Sequence, residues 1–272
     1  MADIKETVRQ WLDTGKVDLF LGYKQVEGHP LPYAFDRDNL EELAELEVSA
    51  ARYPLEKLAV EILAVQPTLK LGILGRDCNQ RALNVLAVHQ QITPGQIEVL
   101  GVNCCPSPLK KHADCSTLSP RTYGAVKLEL GIDNNMSVAQ LEEFDQGTRF
   151  DKWMYEFQKC LKCYGCRDIC PVCFCKECSL EHGDLVETGG VPPEVPLFHL
   201  IRAVHMAGRC IDCGLCEDAC PVDIPLRLLY RKSNEIVKNL FGYETGLSHE
   251  QPPFSLLGES APAAAEAHRE AV

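Results

Sequence analysis

Cys160, Cys163, Cys166 and Cys170 stand in the order C-x-x-C-x-x-C-x-x-x-C, and Pro171 follows them. Cys210, Cys213, Cys216 and Cys220 repeat that spacing, and Pro221 follows. Thiolates at steps of three wrap one corner of an iron–sulfur cubane. The fourth, just before a turn-forming proline, points away from its own run and ligates the other cluster. The spacing therefore predicts two [4Fe–4S] clusters with crossed ligands. Cys160, Cys163, Cys166 and Cys220 are expected to hold the first, and Cys210, Cys213, Cys216 and Cys170 the second. Clusters that share ligand loops lie close together, as electron relay requires. A single C-x-x-C would suit zinc as well; two complete runs, each ending in proline, favour iron and sulfur.

The wider composition points the same way. The chain holds fifteen cysteines in 272 residues, so they cannot all pair as disulfides. Its start, MADIKETVRQWL, lacks the apolar core of a secretory signal. No apolar run reaches the roughly 18 residues a membrane helix needs. The expected setting is the reducing cytoplasm, with thiolates available for metal and no transmembrane segment. A net charge of −12 argues against nucleic acid and acidic membrane surfaces as partners. Glu41, Glu42, Glu45 and Glu47 read as a solvated helix face.

Several elements must position these cysteines. Residues 1–130 read as an α/β domain with a small parallel sheet. Helices are expected at 4–12, stopped near Gly15, from Asp38 to about Leu46, after Pro54 over LEKLAVEILAV, and over 78–91 with Asp77 as cap. Strands are expected at 17–23, 68–75 and 96–103. Residues 120–150 read as a linker with a short helix after Ser137. From 149 to 245 the chain reads as an α+β two-[4Fe–4S] ferredoxin-like domain with extra helices. Its long insert holds a Gly189-Gly190 turn, Pro192, Pro193 and Pro196, and the helix FHLIRAVHMAG. Leu197, Leu200, Ile201 and Val204 form an apolar stripe on that helix, read as core packing. A helix after Pro225 is expected to stop at Gly242. Residues 248–272 read as a disordered tail.

Other cysteines invite a metal. Cys78 follows one expected strand, and Cys104 and Cys105 follow the next, with Cys115 on the same loop. In open parallel sheets that edge is where ligands bind. Cys173, Cys175 and Cys178 follow the first run directly, either to bind further metal or to tune the neighbouring cluster. His199 and His205 read as packing or solvated residues. Gly72 and Gly75 lack the rest of a G-x-G-x-x-G pattern, and no P-loop, Ser–His–Asp set or H-E-x-x-H occurs.

The stretch LGILGRDCNQRALNVL…QIEVLGVNCC resembles the beta-subunit family of deazaflavin-coenzyme hydrogenases and formate dehydrogenases. The resemblance implies a third [4Fe–4S] cluster, with Cys78, Cys104 and Cys115 at three of its four ligand positions. The fourth position falls on Leu118, so Cys105 or one of Cys173, Cys175 and Cys178 would have to replace it. The half carrying KCLKCYGCRDICPVCFCKECSLE and FHLIRAVHMAGRCIDCGLCEDACPVDIPLR is similar to subunits associated with heterodisulfide reductase-type flavoproteins of anaerobes. Members of the first family bind FAD and reduce the deazaflavin coenzyme. The α/β part here is shortened and shows no flavin signature.

Together these features imply a non-catalytic electron-transfer subunit of a cytoplasmic oxidoreductase complex. Its partner would be a heterodisulfide reductase-type flavoprotein or the catalytic subunit of a formate dehydrogenase or hydrogenase. The alternative is a subunit whose α/β domain holds FAD and itself reduces a soluble carrier. A third reading, a non-cubane site at Cys104-Cys105, is weakened by Pro106 where that motif has glycine.

Overall fold

The structure, a computed structural model, describes residues 2–48, 53–102, 130–133, 136–184, 186 and 196–253. The chain divides into two compact units, Met1–Leu118 with Gly246–His249, and Ser119–Thr245 with Glu250–Val272.

In the first unit, helix α1 (Ala2–Asp13) buries Val8 and Leu12 and ends just before Gly15. Strands β1 (Leu19–Val26) and β2 (His29–Phe35) form an antiparallel hairpin. Its two-residue turn, Glu27-Gly28, has positive φ at both positions, the geometry that matches strand twist. A short β3 (Leu46–Glu47) pairs with Tyr23 and Lys24 of β1. β4 (Leu71–Gly75) and β5 (Ile97–Gly101) add parallel strands, in the order β2-β1-β4-β5. The sheet is therefore mixed, and the expected small parallel sheet holds only for β1, β4 and β5. Pro30 and Pro32 disguise β2 in the sequence; as an edge strand it tolerates their missing donors.

β4 is buried along its whole length. Helices α2 (Leu55–Val65) and α3 (Asp77–Val88) pack against it. Pro54 precedes α2, as expected. Arg76 rather than Asp77 is the cap position of α3, where its N–H donates to the Asn79 side chain at 2.7 Å. Arg37–Glu45 forms a 3-10 segment, not an α-helix. Its cap is Asp36, which accepts from the N–H groups of Asp38 and Asn39, two residues earlier than the expected cap. Glu42 and Glu45 pair with Lys24, at 3.1 and 3.5 Å, instead of standing alone in solvent.

In the second unit, α4 (Val138–Glu142) begins at Ser137, whose hydroxyl accepts from Gln140 N–H at 3.2 Å. α5 (Gln146–Gln158) is capped by Asp145 through Thr148 N–H at 3.1 Å; it occupies part of the expected linker. α7 (Leu197–Met206) and α9 (Leu226–Phe241) pack together, and α9 stops at Gly242 with a φ of +66°. The apolar stripe of α7 faces outward. Leu197, Leu200 and Val204 are 57%, 41% and 71% exposed. The buried face carries Phe198, His199, Arg202, Ala203 and Met206. Periodicity finds the two faces of a helix; it does not say which one points in. The Gly189-Gly190 turn, Pro192, Pro193 and the tail beyond residue 253 lie outside the described residues.

Candidate metal centre

The two cysteine runs fold alike. Each opens into a loop with two left-handed residues, Lys162 and Tyr164 in the first and Asp212 and Gly214 in the second. Short helices follow, α6 (Gly165–Asp168) and α8 (Leu215–Asp218). Lys162 N–H points at Cys160 Sγ and Asp212 N–H at Cys210 Sγ, each at 3.4 Å. After each helix, Cys170 N–H donates to Arg167 O and Cys220 N–H to Glu217 O, both at 3.1 Å. Left-handed backbone costs about 1–2 kcal/mol per non-glycine residue, and Lys162, Tyr164 and Asp212 all bear it. Strain repeated at matching positions marks a backbone shaped for a ligand.

These loops enclose two recesses. The first is lined by Cys160, Cys163, Cys166 and Cys220, with His199, Phe198 and Ile224 among its walls. The second is lined by Cys210, Cys213, Cys216 and Cys170, with Arg202, Arg227 and Tyr230. Each recess thus has three cysteines from one run and the last cysteine of the other. Among the described residues, no three His, Cys, Asp or Glu side chains form a group that could hold a single ion. The cysteines stand around a volume, the arrangement in which each thiolate takes its own iron of a cluster.

Burial pushes the Cys160 thiol up to about 11 and drives Cys210 and Cys216 upward as well. Metal-free, these thiols are protonated at neutral pH, and ligation must remove the protons. Iron uptake is therefore expected to release protons and to tighten as pH rises from about 7 to about 9. A pH-stat titration of the metal-free protein with ferrous iron and sulfide checks this. Uptake without proton release would mean that these thiols are not ligands.

α9 anchors the second loop. Asp212 accepts from Arg227 Nε at 2.8 Å and from Arg231 Nε at 3.1 Å, and Asn234 Nδ2 donates to Cys210 O at 2.9 Å. Sequence reading passed over Arg202, which is 3% exposed. Its Nη2 donates to Cys166 O at 2.9 Å, and its Nη1 lies 3.8 Å from Cys173 Sγ. The only hint in the sequence is its place opposite the apolar stripe of α7.

The remaining cysteines are placed as follows. Cys173 meets Arg202, Cys175 is exposed, and Cys178 stands at the position before the 3-10 turn Ser179–Glu181, with no side-chain bond to it. Cys78 is buried in the first turn of α3, directly after β4. Cys104, Cys105 and Cys115, expected beside it, lie outside the described residues. His199 is buried on the wall of the first recess, while His205 is exposed. No helix among the described residues is long and apolar enough to cross a membrane.

Residues 203–225 match the 4Fe–4S binding domain family. The F420-dependent formate dehydrogenase subunit beta of Methanocaldococcus jannaschii is 46% identical over 103 residues, 38% of this chain and 27% of that protein. The F420-dependent formate dehydrogenase 1 subunit beta of Methanococcus maripaludis is 46% identical over 112 residues, 41% of this chain and 28% of that protein. Over these stretches the chain is similar to formate dehydrogenase beta subunits, and residues 203–225 match a 4Fe–4S binding domain. The chain matches little more than a quarter of the length of these relatives. The 4Fe–4S match begins on α7 and takes in the whole second cysteine run.

Proposed function

We propose that this chain is an iron–sulfur electron-transfer subunit of a cytoplasmic multi-subunit oxidoreductase. The observation that carries the reading is the grouping of four cysteines around each recess, three from one run and one from the other. Cys160, Cys163, Cys166 and Cys220 are the ligands of one [4Fe–4S] cluster, and Cys210, Cys213, Cys216 and Cys170 those of the second. Such clusters, when bound, accept and release single electrons at a potential set by charge, hydrogen bonding and exposure. The chain's own residues supply those settings. The left-handed loops hold the thiols in place, α9 fixes the second loop, and Arg202 brings a buried positive charge beside Cys166 and onto the wall of the second recess. Cys163 is exposed, which supports the first recess as the side a partner's centre approaches.

The names of the relatives support the other subunits of a formate dehydrogenase as partners; a hydrogenase catalytic subunit or a heterodisulfide reductase-type flavoprotein is proposed from the sequence resemblance alone. Cys78, with Cys104, Cys105 and Cys115, is proposed to form a further cluster site. Anaerobic reconstitution with iron and sulfide is expected to load about eight irons and eight sulfides per chain at the two recesses, and about twelve irons if the further site fills. Stoichiometric zinc bound in place of iron at both runs would end this reading.

A further inference from the structure

Each recess keeps one deeply buried side chain whose hydrogen-bonding capacity is unspent on protein. In the first it is His199, 2% exposed. Its ring stacks on Phe157 at 4.9 Å and meets Phe198 edge-on at 5.1 Å. Neither ring nitrogen has a hydrogen-bond partner among the described residues. In the second it is Tyr230, 3% exposed, whose hydroxyl is likewise without a partner. Both side chains line their recesses. The contrast is Tyr164, also on the wall of the first recess, whose hydroxyl donates to Leu180 O at 2.7 Å.

A buried polar atom left unmade is costly, and such groups call for an explanation. His199 and Tyr230 are the wall residues whose buried ring nitrogens and hydroxyl make no hydrogen bond at all among the described residues. Arg202 Nε and Arg227 Nη2 on the second wall also lack a partner, though both guanidinium groups bond elsewhere, and all of these donors argue for an acceptor that arrives with the bound group. A tyrosine hydroxyl is a donor, and an imidazole carries at least one N–H whether neutral or protonated. The sulfur atoms of a cluster are acceptors.

Resting on the cluster assignment proposed above, we propose that His199 and Tyr230 are separate potential-setting donors. His199 serves the cluster held by Cys160, Cys163, Cys166 and Cys220. Tyr230 serves the cluster held by Cys210, Cys213, Cys216 and Cys170. A hydrogen bond to sulfur is stronger when the cluster carries the extra electron, so each donor raises the potential of its own cluster. The two potentials are thereby set independently, although the clusters share ligand loops. Neither residue is a ligand; both act through hydrogen bonds to sulfur.

The test is an anaerobic redox titration of the full-length reconstituted protein, followed by electron paramagnetic resonance. Cys163→Ser and Cys213→Ser assign the signals to the two recesses. Tyr230→Phe is expected to lower the reduced-to-oxidised ratio of the second cluster about tenfold at a fixed potential, about 59 mV for one electron. The first cluster should not move. His199→Phe should do the same to the first cluster alone, and His199→Gln, which keeps a donor, should restore its value. Iron is measured in every sample. Wild-type protein without two clusters would sink the cluster assignment itself. Two full clusters whose potentials ignore these substitutions, or shift together under either one, would overturn the donor roles and leave the assignment standing. Loss of iron on removing the Tyr230 hydroxyl alone would also overturn them, because a structural role would then account for the residue.

Discussion

Cys170→Ser is expected to damage the cluster bordered by Cys210, Cys213 and Cys216 and to spare the one beside its own run. Cys220→Ser is expected to do the reverse. The reason is where the chain turns after each short helix. Cys170 leaves α6 on the wall of the second recess, and Cys220 leaves α8 on the wall of the first. Each variant should lose up to about four of about eight irons. Iron analysis and electron paramagnetic resonance of the two single variants give the answer. If damage stays within the mutated run, the crossed arrangement is wrong.

Arg202→Met is expected to lower the potentials of both clusters at once. Arg202 is buried, touches the first run at Cys166 O and lines the second recess. A positive charge there stabilises the electron on either cluster. At an effective dielectric of about 20 and separations of about 4–8 Å, removing it costs about 2–4 kcal/mol per cluster. That corresponds to about one and a half to three powers of ten in the reduced-to-oxidised ratio. Arg202→Lys, which keeps the charge but not the planar fork, should fall between the two. Redox titration of the three proteins decides the matter; potentials unchanged in Arg202→Met would remove the charge argument. The pattern also differs from that of His199 and Tyr230, each expected to move one cluster alone.

What could be read from sequence alone was mostly local. Pro54 before α2, Ser137 before α4 and Gly242 after α9 act within one turn of chain, and the structure places them as the pattern suggests. The spacing and the proline after each fourth cysteine suggested crossed ligands, and Cys170 and Cys220 do each line the recess of the other run. Non-local features were harder. β2 carries two prolines that argue against a strand, yet its edge position in the sheet removes the penalty. α5 buries Lys152 and Glu156 and exposes Phe150, which blurs its periodic signal. The orientation of α7 follows from its neighbours: Arg202 and His199 turn toward the recesses, and Leu197, Leu200 and Val204 stay outside. No spacing rule contains that information, since it depends on what lies across the fold.

Because each recess borrows one cysteine from the other run, the first is not complete until Cys220 and the second not until Cys216 has been synthesised. Cys220 comes 60 residues after Cys160. At ribosomal rates of about 5–20 residues per second, the first three thiols wait about 3–12 seconds for their fourth. During that interval they are open to oxidation and to capture of the wrong metal. A chain broken off between Cys216 and Cys220 carries all four cysteines of the second recess and lacks only the last of the first, and one broken off before Cys210 has three for the first and one for the second.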